Sequence, residues 1–108
     1  MQQFDIVTCA LSGDYGKPIP CLIVQQNAFN QYHQSLSVCP VTSHVEKEIV
    51  FRPTLIPDKE NGLEKLSQIM VDKITTIKKD KIGQVVGRIS LHKQEEVVEA
   101  IKLWFGLF

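Results

Sequence analysis

The 108-residue chain has no net charge: twelve Lys and Arg are matched by twelve Asp and Glu. Without a basic excess, wholesale attraction to nucleic acid or to an anionic membrane surface is not expected, so an anionic ligand needs a local patch. No apolar run approaches the roughly 18 residues that cross a bilayer. The opening Met1-Gln2-Gln3-Phe4-Asp5 lacks the basic start and apolar core of a secretory leader. A soluble, cytoplasmic protein is therefore expected. The three cysteines, Cys9, Cys21 and Cys39, have no C-x-x-C spacing, and His33, His44 and His92 are scattered. That pattern reads as small core thiols in a reducing compartment and gives no metal site. Neither repeats, low-complexity tracts nor a linker divides the chain, so residues 1–108 are read as one domain of ordinary globular composition, 44% hydrophobic and 22% charged.

What is present is a series of short strand-like runs followed by one helix. Phe4 to Leu11 alternates in a β-branched, apolar run. Ser12 to Pro20 then carries two glycines and two prolines in nine residues, which is loop chemistry. Cys21-Leu22-Ile23-Val24 is continuously apolar and reads as a strand buried on both faces, after which Asn27 is placed to cap a helical turn over residues 28–32. Leu36 to Val41 is a strand expected to stop, or to run along an edge, at Pro40. Glu48 to Ile56 reads as another, its second half demoted to an edge by Pro53. Ser67 to Ile77 alternates as a longer strand, and Gln84 to Ile89 as a shorter one. Ser90 stands at a helix N-cap. Beyond it, Val97, Val98, Ile101, Trp104, Phe105 and Phe108 recur at three- and four-residue intervals, with Glu95, Glu96, Glu99 and Lys102 on the other face. About six strands and a C-terminal helix define an α+β chain, most economically a curled antiparallel sheet with the helix against it.

The stretch with the most chemistry is Ser37-Val38-Cys39-Pro40-Val41-Thr42-Ser43-His44, which delivers two hydroxyls and an imidazole where an apolar strand ends. Hydroxyls also commonly close a strand as turn residues. His44 could carry a proton near neutral pH or simply be a solvated loop residue. Tyr15, beside Gly16 in the glycine-rich loop, could stack on an unpaired base or pack its own loop. Asp72 fits either a ligand groove or a sheet-face pair with Lys73, and Lys73, Lys78, Lys79 and Lys81 form the only basic cluster.

The order of these pieces carries a further signal. Gly13-Asp14-Tyr15-Gly16-Lys17-Pro18-x-Pro20 precedes an apolar strand ending Val24-Gln25. Val38-Cys39-Pro40-Val41-Thr42-Ser43, Asn61-Gly62-Leu63, Ser67-Gln68-x-Met70-Val71-Asp72-Lys73-Ile74-x-Thr76 and Gly87-Arg88 follow, ahead of a helix ending Phe105-Gly106-Leu107. Taken together and nearly end to end, this resembles the MazF/PemK family of bacterial toxin-antitoxin toxins. The resemblance implies a small SH3-like antiparallel β-barrel with a C-terminal helix, working as a homodimer. It implies a sequence-specific endoribonuclease that cuts single-stranded RNA without metal or cofactor, and that a cognate antitoxin neutralises.

Carried over residue by residue, the resemblance makes Thr42 one catalytic group. It makes Tyr15, Gly16, Ser43, His44, Gln68, Asp72 and Lys73 candidate substrate contacts. It also exposes a gap, because the position of the family's catalytic arginine is Ile19 here, and isoleucine can neither donate a hydrogen bond nor pair with phosphate. Lys17, two residues upstream, is the candidate stand-in. Two other readings stay open: a non-enzymatic poison of DNA gyrase like CcdB, whose tail Trp104-Phe105-Gly106-Leu107-Phe108 resembles, and a homologue that binds RNA or antitoxin without cutting.

Overall fold

A computed structural model describes residues 1–11, 17–47 and 49–108. The strands are β1 (Asp5–Cys9), β2 (Ile19–Ile23), β3 (Ser35–Thr42), β4 (Thr54–Leu55), β5 (Ser67–Ile69), β6 (Thr75–Lys78) and β7 (Ile82–Arg88). A single turn of helix, α1 (Asn27–Asn30), joins β2 to β3, and the chain ends on α2 (Leu91–Phe105). The sheet is antiparallel, in the order β4-β5-β3-β2-β1-β7, with β6 added to β3 beside β5. This curled sheet with its terminal helix is the α+β half-barrel that the sequence pattern implies.

Period-two alternation divides the interior into two cores. Ile6, Leu22, Cys39, Val41 and Ile69 face the side covered by Val97 and Ala100 of α2, while Val7, Cys9, Cys21, Ile23, Leu36 and Val38 form a second cluster. Each fully buried Ile or Leu contributes about 2–3 kcal/mol of transfer free energy. The helix is set by its ends: Ser90 Oγ accepts the Lys93 N–H at 3.3 Å, and Gly106, at φ 68°, terminates it in the left-handed region. Of the apolar stripe, Val97 is buried and Ile101 half-buried. Val98, Leu103, Trp104, Phe105 and Phe108 stay exposed.

Four local expectations are corrected. The strand over 36–41 does not stop at Pro40; β3 runs through it to Thr42. On one edge β3 pairs with β6 through Ser35–Val38 and with β5 through Val41–Thr42. Pro40 sits at the handover, its carbonyl accepting the Met70 N–H at 2.8 Å. A residue's N–H and C=O point to the same side of a strand, so the donor that proline lacks falls in the gap between two ladders. Ser67 to Ile77 is not one strand. Five residues, 70–74, lie opposite only Cys39 and Pro40, and the excess is wound into a 3-10 turn over Val71–Lys73.

The strand expected over 48–56 is reduced to its edge half, β4. Arg52 N–H closes a turn onto Ile49 O at 3.2 Å, and Phe51 meets the Trp104 ring at 4.9 Å instead of joining a ladder. Asn27 is not a cap: Gln26 occupies that position, and Asn27 Oδ1 accepts the Gln3 N–H instead.

The loop between β4 and β5 crosses to β7 and closes the curl. Asn61, 2% exposed, organises it: its Oδ1 accepts from the Asp58 and Leu63 N–H groups, and its amide donates to Ile56 O. Arg88 N–H then donates to Glu60 O at 2.7 Å. Two glycines permit the crossing. Gly62 holds φ 68° and a Cβ there would lie 2.3 Å from Val86 O, while a Cβ on Gly87 would meet the Asn61 backbone at 2.4 Å.

Candidate functional site

The curl leaves a cavity of about 590 Å³. Its walls are the entry to β2 (Pro18, Ile19, Pro20), the end of β3 (Val41, Thr42, Ser43) and the crossing loop (Gly62 to Lys65), with Thr8, Ser67, Met70 and Val86 completing it. The continuation of β3 past Pro40 is what carries the hydroxyl pair to this mouth. Thr42 is half-buried and its Oγ1 accepts the His44 N–H at 3.0 Å, a local turn bond that fixes the side chain and leaves its O–H free to donate. Ser43 is exposed on the same rim.

The cavity thus brings together Ile19, Thr42 and Ser43. His44 and Lys17 are exposed beside its walls in sequence but do not line it. Tyr15 and Gly16 lie outside the described residues. Gln68 is buried at 3% exposure, where its Nε2 donates to Glu46 O at 2.8 Å and its Oε1 accepts the Glu46 N–H at 3.0 Å. Its amide therefore anchors the segment after Ser43. Lys73 is exposed on the 3-10 turn, away from the cavity lining.

Asp72 is corrected most clearly. It does not pair with Lys73 across a sheet face; its two carboxylate oxygens accept from Arg52 Nε and Nη2, both at 2.8 Å. The side chains are 11% and 15% exposed for Arg52 and Asp72. The guanidinium bonds hold the Asp72 carboxyl below its ordinary range, and the same bonds raise Arg52. Cys39 nearby is pushed up to about 12, by burial and then by the Asp72 charge. This thiol stays protonated and belongs to the core.

Sequence reasoning missed Thr8, Glu64 and Lys65 as cavity residues, and Arg52 as the partner of Asp72. Asn61-Gly62-Leu63 was the available signal for Glu64 and Lys65, since it marks a loop built to approach another strand. Among the described residues, no three His, Cys, Asp or Glu side chains gather as a metal site, and no helix is long and apolar enough to cross a membrane.

A curled half-barrel with a terminal helix is the architecture of a known class of toxins. The chain belongs to the PemK-like, MazF-like toxins of type II toxin-antitoxin systems, whose family model matches residues 2–105. A probable endoribonuclease MazF from Mycolicibacterium smegmatis is 32% identical, over 99% of this chain and 98% of that one. Among solved structures, the Mycobacterium tuberculosis toxin MazF-mt6 superposes with a TM-score of 0.84 at 24% identity, covering 96% of this chain and 98% of its own. An endoribonuclease in complex with its cognate antitoxin from a mycobacterial species superposes at 0.86 and 21% identity, over 100% of this chain and 97% of that one. These structures establish the fold. The gyrase-poison reading is not favoured by these matches.

Proposed function

We propose that the chain is the RNA-cleaving toxin of a toxin-antitoxin pair and that the 590 Å³ cavity receives single-stranded RNA. The observation that carries this reading is the convergence of Ile19, Thr42 and Ser43, three positions singled out by the family pattern, on one open cavity in a chain of that family. The chemistry asked of the site is transesterification. The substrate's 2′-oxygen attacks the adjacent phosphorus, the bond to the 5′-oxygen breaks, and a cyclic phosphate and a 5′-hydroxyl remain. The 2′-hydroxyl proton leaves to a base, the departing 5′-oxygen gains a proton, and the phosphorane charge needs donors aimed at it. The free O–H of Thr42 supplies one such donor. Ile19 supplies none, which also favours a second reading in which this chain binds RNA or antitoxin without cutting.

The same proposal extends to assembly. A homodimer, a cytoplasmic location and a flexible acidic antitoxin segment that competes with RNA for the cavity complete the model.

The decisive comparison sets this chain against Ile19→Arg, each incubated with long single-stranded RNA in EDTA while the cut ends are mapped. Cleavage by both forms supports an enzyme that works without the arginine. Cleavage by the arginine form alone supports the binding-only reading of the present chain. If neither form cuts, the ribonuclease proposal is refuted.

A further inference from the structure

A phosphodiester seated against Thr42 and Ser43 brings a full negative charge into the cavity, and Ile19 contributes only hydrocarbon to that wall. Among the described residues, one cationic side chain lines the cavity: Lys65. It comes from the crossing loop, a different element from β2. Among the described residues, no hydrogen bond or ion pair engages its ammonium group. The backbone beneath it is held firmly. Ser67 Oγ donates to Lys65 O at 2.8 Å, Leu63 N–H donates to the buried Asn61 Oδ1 at 3.0 Å, and the loop is tied to β7 through Glu60. A loop fixed in this way presents a cation to an anion with little further ordering of the chain.

Glu64, on the same lining, acts in the opposite sense. Its residue is exposed, its carboxylate has no partner among the described residues, and it repels a phosphate. A ligand anion therefore needs Lys65 all the more.

We infer that Lys65 is the phosphate-binding cation of this cavity, supplying from the crossing loop the charge that an arginine at position 19 would supply from β2. The inference rests on the RNA reading of the cavity and adds to it the group that holds the substrate's charge. It also displaces Lys17 from that role, because Lys17 does not line the cavity. As a lone ammonium, Lys65 gives a point charge and not a two-pronged clamp.

The test measures binding separately from cleavage. A fluorescein-labelled 2′-O-methyl single-stranded RNA, whose attacking oxygen is blocked, is titrated with the full chain over a salt series and followed by anisotropy. Lys65→Gln is expected to bind about five- to tenfold more weakly at low salt. Its slope of log affinity against log salt should fall by about 0.7, the value for one phosphate contact on a single strand. Lys65→Arg should restore binding and Glu64→Gln should tighten it, while Lys102→Gln on α2 should leave it unchanged.

Unaltered affinity and slope in Lys65→Gln would overturn the inference and leave the RNA reading standing, as would a loss confined to Lys17→Gln. A wild-type chain that ignores the probe would overturn both. Lys65-dependent binding in a chain that cleaves nothing would support the inference while refuting the enzymatic reading.

Discussion

The Arg52–Asp72 pair offers a sharp test of how the cavity's rim is held. Arg52 lies just after the segment that Gln68 anchors at Glu46, and Asp72 lies on the 3-10 turn that β3 creates at Pro40. With both bonds at 2.8 Å and both side chains at least four-fifths buried, removing one partner strands the other's charge in a poorly solvated place. Asp72→Asn should therefore cost about 3 kcal/mol, the lower end of what breaking a buried pair costs. In a domain of this size that lowers the melting temperature by about 12–20 °C. Replacing both groups together, as Arg52→Met with Asp72→Leu, should cost much less, because no charge is left without a partner.

The pH dependence follows from the direction of the shift. Asp72 is held below its unfolded value of 3.8, so the unfolded chain takes up the proton first as pH falls. The pair's stabilisation is complete above the ordinary carboxylate range and fades as pH drops through it toward the lowered value. Urea denaturation of wild type and Asp72→Asn near neutrality should thus differ by the full amount, and the two curves should begin to converge only below about pH 4. A difference under about 0.5 kcal/mol near neutrality, the range of ordinary surface substitutions, would refute the reasoning. So would a gap that stays constant into acid.

Two further outcomes follow from the packing. Gly62→Ala should destabilise the chain by about 2 kcal/mol or more, since it combines a left-handed backbone with a Cβ 2.3 Å from Val86 O; thermal melting checks this, and an unchanged midpoint would contradict the crossing-loop geometry. Cys9, Cys21 and Cys39 are all buried, so an aromatic disulfide reagent should titrate no thiol in the native chain and three after denaturation. Rapid native reaction at any of them would show that the core opens there.

The terminal helix was legible because its signals are local: Ser90 caps it, Gly106 ends it, and its apolar spacing has only one period. Most strands were legible for the same reason. What could not be read was the exchange of partners along β3. Alternation over Ser67 to Ile77 is real in the sequence, but whether it forms one strand or two depends on where β3 hands over, which is a property of the sheet. The error propagated to Asp72, whose assigned face vanished with the strand, and whose true partner lies 20 residues away in a segment that had also been read as a strand. In the site, Thr42, Ser43 and Ile19 were recoverable from motif order. Lys65 was not read from it, because its relation to the cavity comes from a loop that the side-chain bonds of Asn61 fold and that Glu60 ties to β7.

β6 carries one more consequence. Among the described residues it is a four-residue strand bonded to β3 alone, with both its threonines exposed, so its outer row of peptide groups forms a template on which another chain could add a strand. Lys73 stands just before it, Lys78 ends it, and Lys79 and Lys81 follow in the next turn. Two strands of this kind brought edge to edge would oppose their lysines across less than a Debye length. The basic cluster is thus well placed to keep two such edges apart.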